Sequence, residues 1–387
     1  MTMGNCTTKE TLSQQRSELR VAIVHDFLLY RGGAEKVLCD IAAMFPSAPI
    51  YTLLYDSACM AEIFPPERVR TSFLQEWPRW IRAHHRWLLP FYGTAVETFD
   101  LRDYDVIISS SGAWSKGIVT RLNTKHIAYI HSPMRYVWDE NEYYLRKMLD
   151  KKNGFFARLF LSYLRVWDHQ AAQRPDVLVA NSVYTQKRIA KYYRRSADVV
   201  YPGVKSALSG EEIKEHKQEE KYFLIVSRLS RCKNVALAIE TCNKLQLPLM
   251  VIGDGSDRKY LENLAGPTVT IVGWVDDEKK WSYIAGARAM LFPAEDDFGI
   301  VCVEALSAGI PVIALGRGGA CEIVENGKTG ELFDAPTVEM MADGVRRFLE
   351  REGRYDRATM IAKANEFSCH NFRKNFQKII DQYVQCE

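Results

Sequence analysis

Short apolar runs and polar, helix-spaced stretches alternate along this chain almost from end to end. The first series is "VAIVHDF" (21–27), "DVIISS" (105–110), "KHIAYIH" (125–131) and "DVLVANS" (176–182). Continuous apolar runs of this length predict strands buried on both faces, as in a parallel sheet. A polar, charge-rich interval at 210–221 interrupts the pattern. It restarts with "YFLIVSR" (222–228), "PLMVIGDG" (248–255), "TVTIVGW" (268–274), "RAMLFPA" (288–294) and "PVIALG" (311–316). Helical periodicity at 234–245 ("NVALAIETCNKL") and 256–265 fills the gaps between strands, as right-handed β-α-β crossovers require. The pattern predicts an α/β fold of two doubly wound, Rossmann-like domains joined near 201–221.

Length agrees with that division. A chain of 387 residues exceeds one ordinary core and suits two domains, with room for a cleft between them. A hydrophobic fraction of 47% and a charged fraction of 26% exclude a disordered chain. The net charge of +3 is too small to demand nucleic acid as a partner. Nine cysteines without a C-x-x-C pair fit neither a disulfide framework nor a zinc module, which points to a reducing cytoplasm. The first twenty residues are polar and lack the apolar core of a secretory signal, and no run is long enough to span a bilayer. A soluble or peripheral protein is expected. The segment "SFLQEWPRWIRAHHRWLLPFY" (72–92) interleaves Trp77, Trp80 and Trp87 with Arg79, Arg82 and Arg86. It reads as an amphipathic helix or helix pair, either packed on its own domain or facing a membrane interface.

Ligands of open α/β sheets bind beyond the carboxyl ends of the strands, and that rule selects the candidate chemistry. Gly32 and Gly33 follow the first strand and open a helix, where backbone amides and the helix dipole can meet a phosphate. Two glycines before a helix also occur for steric reasons, and the G-x-G-x-x-G spacing of a dinucleotide site is missing. Arg228 and Lys233 share the loop "SRLSRCKN", where a planar fork and a mobile cation suit a diphosphate; the plain alternative is a solvated basic turn. In "EDDFGIVCVEA" (295–305), Asp296 falls in a loop and Glu304 just over one turn into a helix expected over 300–308. Carboxylates there can accept paired sugar or ribose hydroxyls, while the amides around Phe298, Gly299, Ile300 and Val301 donate to other oxygens. Glu304 can equally cap neighbouring backbone. His131 ends its strand at the carboxyl side, with Arg135, Tyr136 and Asp139 close in sequence. A metal centre is not expected: the one D-x-D, at Asp103, precedes its strand and reads as a turn residue, and Asp254 stands alone in a tight turn.

Taken together, "HDFLLYRGGAEKV", "HSPMRYVWD", "ANSVYTQKRI", "SRLSRCKN", "VIGDGSDR" and "EDDFGIVCVEALSAGIPVIA" resemble, in order, the motifs of family 4 retaining glycosyltransferases of the GT-B fold, the bacterial mannosyltransferase-like members in particular. The likeness runs from about 21 to 384. It implies an acceptor-binding N-terminal domain (21–203) after a polar tail (1–20). It also implies a nucleotide-sugar-binding C-terminal domain (204–365) and a final helix (366–387) crossing back to the first domain. The family's E-x7-E motif falls on Asp296 and Glu304, with Glu304 expected on the ribose and the first acid on the donor sugar. Asp stands where the family usually has Glu, and Glu295 adjoins it. Arg228 and Lys233 match the diphosphate pair, Gly33 the glycine loop and His131 the cleft histidine. Domain closure is expected to bring His131 toward Asp296. The implied reaction moves a hexose, best mannose from GDP-mannose, to a hydroxyl of a glycan acceptor with its anomeric configuration kept, without metal or cofactor. A lipid-linked acceptor and peripheral contact through Trp77, Trp80, Arg82, Arg86 and Trp87 at the cytoplasmic face of the inner membrane are expected. The alternatives are a UDP-sugar-dependent transferase, a sugar-nucleotide 2-epimerase, or a non-catalytic sugar-nucleotide-binding subunit.

Overall fold

The computed structural model describes residues 19–139, 154–206 and 221–384. Nearly all of the expected polar tail, and the charged interval before Lys221, lie outside the described residues. The chain divides into two compact units. Unit 1 holds the residues up to Asn181, Thr185–Val200 and those from Arg373 onward; unit 2 holds Ser182–Tyr184 and Tyr201–Phe372.

Unit 1 is built on seven strands: β1 (Val21–His25), β2 (Ile50–Thr52), β3 (Val69–Thr71), β4 (Val106–Ser111), β5 (Lys125–Ile130), β6 (Val177–Ala180) and β7 (Asp198–Val199). Their order is β3-β2-β1-β4-β5-β6-β7 and each pairing is parallel. The long apolar runs supply β1, β4, β5 and β6. The other three strands have only two or three residues, too few to carry a periodicity. Register fixes the functional edge: His25 lies opposite Ser110, and Ser111 opposite Ile130, so three strands end level.

Helix α1 (Gly33–Met44) buries Val37, Leu38, Ile41 and Ala42, the spacing of one helical face. The Trp/Arg segment is not one helix. Pro78 and Pro90 lack an amide hydrogen and break it into a 3-10 turn at Phe73–Glu76, α2 (Arg79–Ala83), a 3-10 stretch at His85–Phe91 and α3 (Tyr92–Glu97). Trp77 packs edge-on against Phe91, with ring centroids 5.2 Å apart, and against the unit 1 core, so it is less available to a partner than the sequence reading supposed. Trp80 and Trp87 are exposed. Helices α4 (Gly154–Ala171) and α5 (Val183–Tyr193) complete the crossovers.

Unit 2 has six parallel strands, β8 (Phe223–Val226), β9 (Leu249–Ile252), β10 (Val269–Gly273), β11 (Ala289–Phe292), β12 (Val312–Leu315) and β13 (Gly330–Phe333), ordered β10-β9-β8-β11-β12-β13. Its longer helices are α6 (Val235–Leu245), α7 (Arg258–Leu264), α8 (Asp277–Gly286), α9 (Ile300–Ser307), α10 (Val338–Arg351) and α11 (Arg357–Asn365). Strand β13 escapes the pattern because "GELF" holds a glycine and an acid. A Cβ on Gly330 would sit 1.8 Å from the Val312 carbonyl oxygen, and the fully buried Glu331 is held by Arg347, Arg351 and Tyr355. A last helix, α12 (Cys369–Val384), contributes its residues from Arg373 onward to unit 1, where Arg373 donates to Asp40 at 2.8 Å and Phe376 meets Tyr129. No described helix is long and apolar enough to cross a membrane.

Candidate functional site

In both sheets the strand order reverses once, between β1 and β4 in unit 1 and between β8 and β11 in unit 2. Crevices at such reversals, beyond the carboxyl ends of the strands, are where doubly wound sheets bind ligands. The sequence candidates fall at these two points.

In unit 2, Arg228 lies two residues past β8. Its guanidinium is exposed and makes no ion pair among the described residues. Lys233 ends the next turn and pairs with the Asp296 carboxylate, which reaches it from the loop after β11. Both side chains are about three-quarters buried, so the contact is largely shielded from open solvent. Glu295 takes a different partner, accepting from the Tyr184 hydroxyl at 2.8 Å. Gly299, at φ +102°, turns the chain into α9, whose first residues are Ile300 and Val301. The Phe298 ring is core, stacked on Tyr201 and edge-on to Phe367, so any ligand contact from this residue comes from its backbone.

Glu304 is buried, as its apolar sequence surroundings imply, and a cation accompanies it. Lys280 from α8 donates to Glu304 Oε1 at 3.1 Å and to Asp277 at 2.8 Å, with its ammonium over the Trp281 ring. Burial pulls that ammonium's pKa down, and the Glu304 and Asp277 carboxylates more than offset the pull, holding it above the ordinary lysine value. Sequence reading missed Lys280, and the signal was slight: one lysine at the buried position of a weakly amphipathic helix. It also missed the loop after β12. A Cβ on Gly318 would sit 2.4 Å from the Asp296 carbonyl oxygen, and one on Gly319 would sit 2.4 Å from the Phe298 Cα. Gly319 N–H donates to the Asp296 carbonyl at 2.8 Å. Two glycines thus let one loop press directly on the backbone that carries the acids.

In unit 1, Gly32 caps α1 without a side chain, and the exposed Gly33 is its first residue. Behind them runs a buried polar chain. Glu35 lies 3.6 Å from His25 Nε2; His25 Nδ1 lies 3.1 Å from Ser110 Oγ; and Ser110 Oγ lies 2.8 Å from His131 Nε2. Burial, then the neighbouring His25, depresses the His131 imidazole to about 3, so it is neutral at physiological pH. Asp139, a candidate neighbour of His131, instead engages Arg188 and Tyr192. The residue that follows His25 in the chain is Asp26, a carboxylate that the sequence does not single out. Its Oδ2 accepts from the amides of Gly112 (2.8 Å) and Ala113 (2.6 Å), and its Oδ1 from Trp114 (2.9 Å) and Ser115 (2.6 Å). One aspartate just past the end of β1 therefore organises the loop after β4. Among the described residues no cluster of three or more His, Cys, Asp or Glu side chains could hold a metal ion.

Comparison with known proteins matches these two units to two family descriptions. Residues 31–208 match Glycosyltransferase Family 4, and residues 210–367 match Glycosyl transferases group 1. The chain is 24% identical over 366 residues to the human alpha-1,3/1,6-mannosyltransferase ALG2, covering 82% of this chain and 84% of that protein. It is 23% identical to the Dictyostelium discoideum alpha-1,3/1,6-mannosyltransferase ALG2, over 95% and 99% of the two chains. Among solved structures, Anabaena Alr3699/HepE in complex with UDP superposes with a TM-score of 0.67 at 18% identity, covering 93% of this chain and all of that one. Sucrose-phosphate synthase from Thermosynechococcus elongatus does so with a TM-score of 0.70 at 15% identity, covering 95% and 100%. With adjoining matches across most of its length and the GT-B fold, the chain belongs to the family 4 glycosyltransferases.

Proposed function

We propose that this glycosyltransferase moves mannose from GDP-mannose to a hydroxyl of a lipid-linked glycan, with retention of anomeric configuration and without a metal ion. The observation that carries the reading is the grouping of Arg228, Lys233, Asp296 and Glu304 at the β8/β11 reversal of unit 2. Two cations for a diphosphate and two carboxylates for hydroxyls are the complement of a nucleotide sugar. The mannosyltransferase relatives support mannose as the sugar.

In this reading Glu304 accepts from the ribose hydroxyls, while Arg228, Lys233 and the start of α9 meet the diphosphate. Lys233 exchanges its Asp296 partner for a phosphate oxygen, which frees Asp296 for the sugar; Glu295 stays with Tyr184. The acceptor oxygen bonds to the anomeric carbon as the bond from that carbon to the phosphate oxygen breaks. The acceptor proton passes to the departing phosphate, and no side chain forms a covalent intermediate. The fixed cations stabilise the charge that grows on the leaving group, a contribution that often dominates such reactions. In unit 1, His131 is neutral and hydrogen-bonded to Ser110, a partner suited to a sugar hydroxyl, and Gly32 and Gly33 allow close approach of a ligand to the start of α1. Peripheral contact through Trp80 and Trp87, with Trp77, Arg82 and Arg86 beside them, would hold the protein at the cytoplasmic face of the membrane.

One observation favours a second reading: Alr3699/HepE was solved with UDP and with UDP-glucose, which makes a UDP-sugar donor the main rival. Thermal unfolding with GDP-mannose, GDP-fucose, UDP-glucose, UDP-galactose, UDP-GlcNAc and dTDP-rhamnose, with no added metal, separates the two. Ligand at a hundred times Kd adds about 2.7 kcal/mol. At about 2–4 °C per kcal/mol for a unit of this size, that is a rise of about 5–11 °C. A rise with GDP-mannose, lost in Arg228→Ala and Glu304→Ala, supports the proposal. A rise with a UDP-sugar alone replaces the donor, and no rise with any of them removes the clamp.

A further inference from the structure

Helix α4 is apolar on two opposite sides. One side, Ala157, Phe160, Leu161, Leu164 and Trp167, packs into the unit 1 core together with Ile81, Leu88, Leu89 and Tyr92 of the Trp/Arg segment. The other side carries Phe155 (74% exposed), Phe156 (71%), Leu159 (58%), Tyr163 (60%) and Val166 (62%). At ~100° per residue these five fall within an arc of about 100°, and at ~1.5 Å per residue they run for about 17 Å along the helix. A helix that is apolar on both sides belongs in an apolar environment on both sides, and a contiguous exposed patch of this kind marks an interaction site.

Charge selects the occupant. No Asp or Glu occurs between Glu76 and Glu97, a stretch that holds Arg79, Arg82 and Arg86 along with the exposed Trp80 and Trp87. None occurs between Asp150 and Asp168 either, and Asp168 is fully buried against Lys116. Arg79 and Arg158 are exposed and pair with no carboxylate among the described residues. Exposed aromatic and aliphatic side chains flanked by unpaired arginines, with acids excluded from both segments, match the headgroup boundary of an anionic bilayer.

We propose that the outer face of α4 and the Trp80–Trp87 segment together form a docking surface for an anionic lipid bilayer. Phe155, Phe156, Leu159, Tyr163 and Val166 enter the acyl boundary, while Arg79, Arg82 and Arg158 meet lipid phosphates. The inference rests on the membrane part of the functional reading and not on the identity of the donor. It makes α4, which the sequence did not single out, the larger apolar element of the contact.

The test is flotation of the purified protein with phosphatidylcholine vesicles, with and without phosphatidylglycerol, for wild type, Leu159→Asp/Val166→Asp, Trp80→Ala/Trp87→Ala and Arg79→Glu/Arg158→Glu. Thermal unfolding and the donor-induced shift are measured on each variant. Wild type is expected to float with the anionic vesicles and far less with phosphatidylcholine alone. The α4 variant is expected to lose at least about tenfold in binding, and the arginine variant about fivefold per residue changed. Unfolding temperature and donor response stay at wild-type values, because the substituted side chains lie on the surface of unit 1. Absent flotation of wild type overturns the proposal, as does an α4 variant that floats undiminished. A concentration-dependent dimer that the α4 substitutions dissolve would assign the face to a second copy and overturn it too. A missing donor shift alongside intact flotation would count against the donor reading alone.

Discussion

Replacing Asp26 by Asn keeps the size of the side chain and removes its charge, which makes it a sharp test of how unit 1 builds its functional edge. The two carboxylate oxygens of Asp26 accept from four consecutive amides, Gly112 to Ser115. An asparagine oxygen can keep two of them, and its NH2 then faces the other two donors. Each buried donor that loses its acceptor costs about 1–3 kcal/mol, so the pair costs about 2–6 kcal/mol. The two retained bonds change from charge-assisted to neutral and lose about half their strength, adding about 1–2 kcal/mol. The sum is about 3–8 kcal/mol, and its central value near 5.5 kcal/mol, at about 2–4 °C per kcal/mol, lowers the unfolding temperature of unit 1 by about 11–22 °C. Differential scanning calorimetry measures this directly. The stabilisation proposed for unit 2 on binding a nucleotide sugar should not move, because Asp26 and the four amides all lie in unit 1. An unfolding temperature within about 2 °C of wild type would mean that the loop after β4 does not depend on this carboxylate, and the account of how Asp26 organises it would fail.

Other consequences are equally direct. Lys280→Met strips the buried Glu304 of its cation and should lower nucleotide affinity at least about tenfold, with Lys280→Arg recovering part of the loss; calorimetric titration reads both. Unchanged affinity in Lys280→Met would detach Glu304 from the donor. Gly319→Ala places a Cβ 2.4 Å from the Phe298 Cα, a backbone atom that cannot step aside, and should cost about 1–3 kcal/mol while weakening donor-induced stabilisation. Stability also depends on pH through His126, fully buried against Ser109. Burial, then the charges of Arg195 and Arg174, lowers its imidazole to about 3, whereas the unfolded chain keeps the ordinary 6.5. Between those values the unfolded state binds a proton that the folded state refuses. His126 therefore costs about 1.4 kcal/mol of stability per pH unit below about pH 6.5, and His131, lowered to about 3 in the same way, adds a like amount. In urea melts from pH 7 to pH 5, His126→Phe should remove about half of that slope, and an unaltered slope would assign it to other groups.

The sequence made legible those features that depend on local pattern. Four strands of unit 1 and five of unit 2 announce themselves because a strand buried on both faces must be apolar throughout. Arg228, Lys233, Asp296, Glu304 and His131 could be picked out because each follows such a strand, and the rule that ligands bind at the carboxyl ends needs no knowledge of which strands are neighbours. Whatever depends on strand order was hidden. Asp26 and the amides of residues 112–115 are more than eighty positions apart, and they meet because β1 and β4 adjoin at the reversal of the sheet. The same adjacency sets His25 against Ser110, and through Ser110 against His131. Lys280 and Glu304 sit on helices flanking β11, and nothing in either segment alone says that their charges will be buried together. Edge strands β3 and β7 were hidden for the opposite reason, being too short to leave a signature. The difference is physical. Burial of a single element is written in its own composition, whereas a polar network needs partners that only the parallel register brings level. The candidate ligand contacts were readable for that reason, and the side chains that hold them in place were not.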